Sequence, residues 1–101
     1  MTPEVTQLSG TNTRVTFMPE RTAIKLSRYS ADVAENLARA AEVARTRLGD
    51  ITFGWRGKVH HNPAGTKFEF NLANNNNTIR QRIVVKQGAL LQHIAAQEAA
   101  A

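Results

Sequence analysis

The chain has 101 residues, with 13 basic and 8 acidic side chains and a formal net charge of +5, a length that allows one domain with a modest core, which self-association would help. A hydrophobic fraction of 42% beside 21% charged residues reads as globular rather than disordered. Cysteine is absent, which excludes a disulfide framework, a thiolate nucleophile and a thiolate metal site and suits a reducing cytoplasm. Met1-Thr2-Pro3-Glu4 has neither the basic nor the apolar region of a signal peptide, and no apolar run approaches the length of about eighteen residues that a membrane span needs. The expectation is a protein neither exported by a signal peptide nor membrane-spanning.

Residues 1–12 are polar, with Pro, Gly and Asn and no sustained period, and read as a flexible arm. Arg14–Met18 alternates Val15 and Phe17 with Arg14 and Thr16, Pro19-Glu20 interrupts, and Thr22–Leu26 resumes with Ile24 and Leu26 on one side; the pattern suggests an N-terminal hairpin. Ser30 is a suitable N-cap, with Asp32 in the first turn. Val33, Leu37, Ala40, Ala41, Ala44 and Leu48 then recur at helical spacing until Gly49 stops the run, predicting a helix over 31–48. Its other side mixes Glu35, Arg39, Glu42, Arg45 and Arg47 and is read as a solvated face.

Three strand-like segments follow. Ile51–His60 sets Ile51, Phe53, Trp55 and Val59 against Thr52, Arg56, Lys58 and His60, and Asn62-Pro63-Ala64-Gly65 is turn chemistry. Lys67–Leu72 sets Phe68, Phe70 and Leu72 against Lys67, Glu69 and Asn71, and four asparagines at 74–77 break the pattern. Thr78–Lys86 sets Ile79, Gln81, Ile83 and Val85 against Arg80, Arg82, Val84 and Lys86. A helix from Thr78 competes for this segment, but its β-branched run favours a strand. Residues 89–100 then form a short helix with Leu90, Leu91, Ile94 and Ala95 on one side, its alanine-rich end either fraying or held by a partner chain. The expected fold is α+β: a small antiparallel sheet, made of a three-stranded meander and the N-terminal hairpin, covered by the central helix, in a single domain over 13–100.

The charge is uneven along this chain. Residues 51–86 hold six basic side chains against Glu69 alone, a net of +5, while the remaining seven basic and seven acidic residues cancel. In a meander, alternation gathers Arg56, Lys58, Lys67, Asn71, Arg80, Arg82 and Lys86 on the side away from the apolar layer, with His60. Cations collected this way repel one another, so a polyanion that neutralises them repays their assembly, and phosphates are the natural counterions. Single-stranded nucleic acid also favours aromatic platforms. Alternation puts Phe53, Phe68 and Phe70 in the core. Trp55 is open to two readings: the glycines at 54 and 57 mark either a close approach of another backbone or a bulge, and a bulge would turn Trp55 outward to stack on a base. Tyr29 is a weaker stacking candidate, and Asn74–Asn77 with His60-His61 could bond bases or sugars if they are more than loop chemistry.

Catalysis is not expected. His60, His61 and His93 form no HxxxH or HExxH array, no glycine-rich phosphate loop occurs, and Ser9, Ser27 and Ser30 lack a nucleophile-elbow context. No cofactor or metal is implied. The small size, the lack of cysteine, the N-terminal arm and the cationic strands around Gly54-Trp55-Arg56-Gly57-Lys58 resemble small phage-encoded single-stranded-DNA-binding proteins, including the transcription regulators of N4-like viruses. That resemblance implies cooperative binding by a homo-oligomer, a role in viral transcription or replication in the host cytoplasm, and a polymerase or other protein as a further partner. The tail, QEAAA, carries one acid, unlike the acidic recruiting tip of bacterial single-strand-binding proteins. The alternative is a small protein-interaction module, a viral inhibitor or assembly factor, whose basic face meets an acidic protein surface. A membrane partner is not expected, because no basic amphipathic helix carries large apolar anchors.

Overall fold

Alternation between buried and exposed residues, followed along the chain, resolves into a five-stranded antiparallel sheet with one helix laid across it. The computed structural model describes residues 13–49 and 51–100; the expected arm over 1–12 lies outside the described residues. In chain order come β1 (Thr13–Phe17), β2 (Thr22–Ile24), a 3-10 turn (Leu26–Arg28), α1 (Ala31–Leu48), β3 (Trp55–His61), β4 (Phe68–Asn74), β5 (Arg80–Val85) and α2 (Gln87–Ala100). The sheet order is β2-β1-β3-β4-β5. The fold is α+β as expected, and the hairpin and the meander are one sheet, because β1 pairs with β3 from Thr13↔Val59 to Phe17↔Trp55. Helix α1 therefore carries the chain from β2 over β1 to β3. No helix among the described residues is long and apolar enough to cross a membrane.

One face of the sheet and one stripe of α1 make the core. Val15 and Phe17, Val59, Phe68, Phe70, Leu72, Ile83 and Val85 meet Val33, Leu37, Ala40, Ala41, Ala44 and Leu48. The small alanines let the helix approach the large sheet side chains closely; Phe17 and Phe70 pack with ring centroids 6.1 Å apart. Burying each such phenylalanine contributes about 1.5–3 kcal/mol. Helix α1 starts where Ser30 predicts, though the serine side chain makes no capping bond, and it ends at Gly49 with φ +74°. Helix α2 begins at Gln87, two residues earlier than expected. Leu90 is buried, whereas Leu91, expected beside it, is 58% exposed. His93 Nε2 reaches Glu42 Oε1 at 2.7 Å and ties α2 to α1.

The two tight hairpins share one loop design. Asn62 Oδ1 accepts from the backbone N–H groups of Thr66 and Lys67 at 2.9 and 3.1 Å, and Asn74 Oδ1 accepts from those of Thr78 and Ile79 at 2.9 and 3.2 Å. Each asparagine Nδ2 also donates to the threonine four residues on. The left-handed position is filled by Gly65 at φ +70° in one loop and by Asn77 at φ +59° in the other. Asparagine is among the few side chains that tolerate this conformation, so Asn74 and Asn77 have structural roles.

Two of the arginines of α1, Arg45 and Arg47, are staples to other elements. Arg45 donates to Pro19 O, Arg21 O and Thr22 Oγ1 at the β1–β2 turn. Two residues on, Arg47 donates to Val84 O of β5 at 2.7 Å. The last turn of α1 thus reaches the strand at each edge of the sheet. Arg39 pairs with Glu35 at 3.2 Å, as the spacing of four residues predicts.

Candidate nucleic-acid interface

The side of the sheet away from α1 is built from cross-strand rows. Register places Thr16, Arg56, Ala73 and Arg80 in one row, Arg14, Lys58, Asn71 and Arg82 in the next, and His60, Glu69 and Val84 in a third. The small side chains of Thr16 and Ala73 lie on either side of Arg56 and leave space around it. The result is an open depression of about 510 Å³ bordered by Arg14, Arg56, Lys58, Asn71, Asn77 and Arg80, with no carboxylate among the described residues of its lining. Arg14, Arg56, Lys58 and Arg80 form no ion pair among the described residues. A hollow of about 380 Å³ between β2 and α1 is different in kind, since Glu20 and Glu42 share it with Arg21 and Arg45.

The expected site residues divide. Arg56, Lys58, Asn71, Arg80 and Arg82 are brought together on this face. Lys67 and Lys86 stand one residue outside β4 and β5, at the far end of the sheet beside the Glu69 row. Trp55 requires a correction: it is on the core side and 7% exposed, so it offers no stacking surface. Close backbone approach explains its glycine neighbour, for an ideal Cβ on Gly57 would lie 1.8 Å from Asn71 O. The strand expected from Ile51 begins only at Trp55, and Phe53, assigned to the core by alternation, is 67% exposed. His61 is buried at the far end against Tyr29 and Phe68, at centroid distances of 5.3 and 6.0 Å, which removes Tyr29 and His61 from the face. Arg14 is the residue that the sequence reading missed. Its alternation with Val15 marked it as outward, but only the pairing of β1 with β3 shows which surface it joins.

Glu69 is the one acid of the face among the described residues, and it is committed. Arg82 grips it with Nε at 2.9 Å from Oε2 and Nη2 at 3.0 Å from Oε1, and Asn71 Nδ2 adds a bond of 3.3 Å. The Arg82 bond is the main cause of a carboxyl pKa below the usual range; partial burial opposes it, and Asn71, the Arg82 charge and His60 add to it. Because the folded value is depressed, the contribution to stability is present above the unfolded carboxylate range and is lost as pH falls through the folded value. Glu69→Gln should remove this acid-side loss, which urea melts from neutral pH downward would detect.

These features define a class: an open antiparallel sheet, backed by a helix, with a cationic outer face that neither helix of the described residues covers. Comparison with protein-family models, curated proteins and solved structures finds no match for the chain.

Proposed function

We propose that the protein is a non-enzymatic nucleic-acid-binding protein that holds single-stranded DNA by its phosphate backbone on the outer face of the sheet. The observation that carries this reading is the depression ringed by Arg14, Arg56, Lys58 and Arg80 with no carboxylate among the described residues of its lining. Arginine supplies three of those four cations, and its planar fork matches phosphate oxygens. A single strand fits better than a duplex groove. Five strands at about 4.8 Å spacing are about 19 Å wide, whereas the major groove is about 12 Å wide, so this face cannot enter it. The resemblance to phage single-stranded-DNA-binding proteins points the same way and suggests viral transcription or replication as the setting, with several copies along one strand. A polymerase would be a further partner.

Titration of a fluorescent single-stranded oligonucleotide over a salt series tests the proposal. Log affinity should fall linearly with log salt, at about 0.7 per phosphate neutralised, and a duplex of the same length should bind more weakly. Undetectable binding at low salt would sink the reading. The absence of an aromatic side chain from the three rows keeps an acidic protein surface as a second reading, which is favoured if partners captured from lysate survive nuclease treatment.

A further inference from the structure

We infer that Phe53 is a platform on which an unpaired base stacks, at the edge of the cationic depression. The inference rests on the nucleic-acid reading above and narrows its ligand to strands with exposed bases. Four observations support it. The chain leaves strand geometry before Trp55 because Ile51–Gly54 closes a turn, in which Gly54 N donates to Ile51 O at 2.8 Å and Gly54 takes φ +77°. That turn is firmly held: Asn75 Nδ2 donates to Phe53 O, and Gly54 is packed so closely that a Cβ would lie 3.0 Å from Asn75 Nδ2 and 3.2 Å from Met18 Sδ. The ring it carries is nonetheless 67% exposed and lies outside the core cluster.

Position supplies the last observation. Phe53 lies at the end of the sheet where β3 starts and β5 begins, beside the row of Arg56 and Arg80. Two residues separate it from Arg56, so the two Cα atoms are at most about 11 Å apart. The loop that anchors Phe53 through Asn75 also contributes Asn77 to the lining of the depression. Ile79, 54% exposed, extends the apolar surface at the same end. An exposed aromatic ring on a hydrogen-bonded turn beside a cluster of cations fits the two halves of a nucleotide, base and phosphate.

The test compares a single-stranded thymidine oligonucleotide with an abasic strand of equal length, which keeps the phosphates and removes the bases. Phe53→Ala should lose about 10-fold in affinity for the base-bearing strand and bind the abasic strand as the parent does. Phe53→Trp should restore binding, and the emission of the introduced indole should be quenched by the thymidine strand and not by the abasic one. Equal binding of the thymidine strand by Phe53→Ala and the parent, or an equal loss on both strands, would overturn the inference while leaving the cationic face as proposed. If the parent binds neither strand at low salt, the underlying reading falls and this one with it.

Discussion

Charge reversal at Arg56 and Arg80 together is expected to lower affinity for a single-stranded oligonucleotide at least about 100-fold at low salt and to flatten the salt slope by about 1.4 units or more. Both arginines are exposed strand residues on the row that borders the depression, and neither has a carboxylate partner among the described residues. Each Arg→Glu change removes two units of charge, so the net charge falls from +5 to +1. The fold should tolerate this, since surface substitutions away from special contacts usually shift stability by less than about 0.5 kcal/mol. Arg28→Glu with Arg39→Glu makes the same change in net charge away from that face. If the control variant loses affinity as severely, overall charge rather than the face is responsible, and the proposed interface is wrong.

The largest effect on stability is expected from Gly57→Ala. Gly57 sits in the middle strand of the five, between Val15 of β1 and Leu72 of β4. Its backbone conformation is ordinary, so glycine is needed for space: a Cβ would collide with Asn71 O at 1.8 Å, and Asn71 C and Leu72 Cα lie within 2.9 Å of the same point. These are backbone atoms in the middle of a ladder and cannot rotate away. The substitution must separate β3 from β4 or twist both, at a cost of about 3–5 kcal/mol, a large share of the 5–15 kcal/mol by which domains are usually stable. Urea denaturation measures it. Gly88→Ala in α2 is the companion, because a Cβ there meets nothing within 4 Å and should be neutral or stabilise by about 0.5–1 kcal/mol. Equal stability of Gly57→Ala and the parent would contradict the close packing of β3 on β4.

What the sequence made legible was local. Helical spacing placed α1 at its observed bounds, and alternation assigned the two sides of β3, β4 and β5 correctly wherever the chain stays extended. Phe53 shows the limit. Ile51, Phe53 and Trp55 keep a perfect period of two, but the turn closed by Gly54 cancels the geometry that gives the period its meaning. Arg14 shows another, since its pairing with Lys58 joins residues more than forty positions apart and leaves no mark in either segment. Arg45 and Arg47 show a third. Charged residues on a helix face look alike in sequence whether they meet water or a neighbouring carbonyl, and here both meet carbonyls.

The grip of Arg45 and Arg47 on the two margins of the sheet bears on how copies could line up along a strand. An open edge invites a neighbour to add its own strand, and charges or a covering helix discourage that. At β5 the carbonyl of Val84 is already taken by Arg47, and at the start of β2 the turn carbonyls are taken by Arg45. A newcomer would have to evict a guanidinium before docking. Crowded on one nucleic acid, such molecules would sit like separate beads whose neighbours touch through helices and loops, not like the planks of one continuous ribbon.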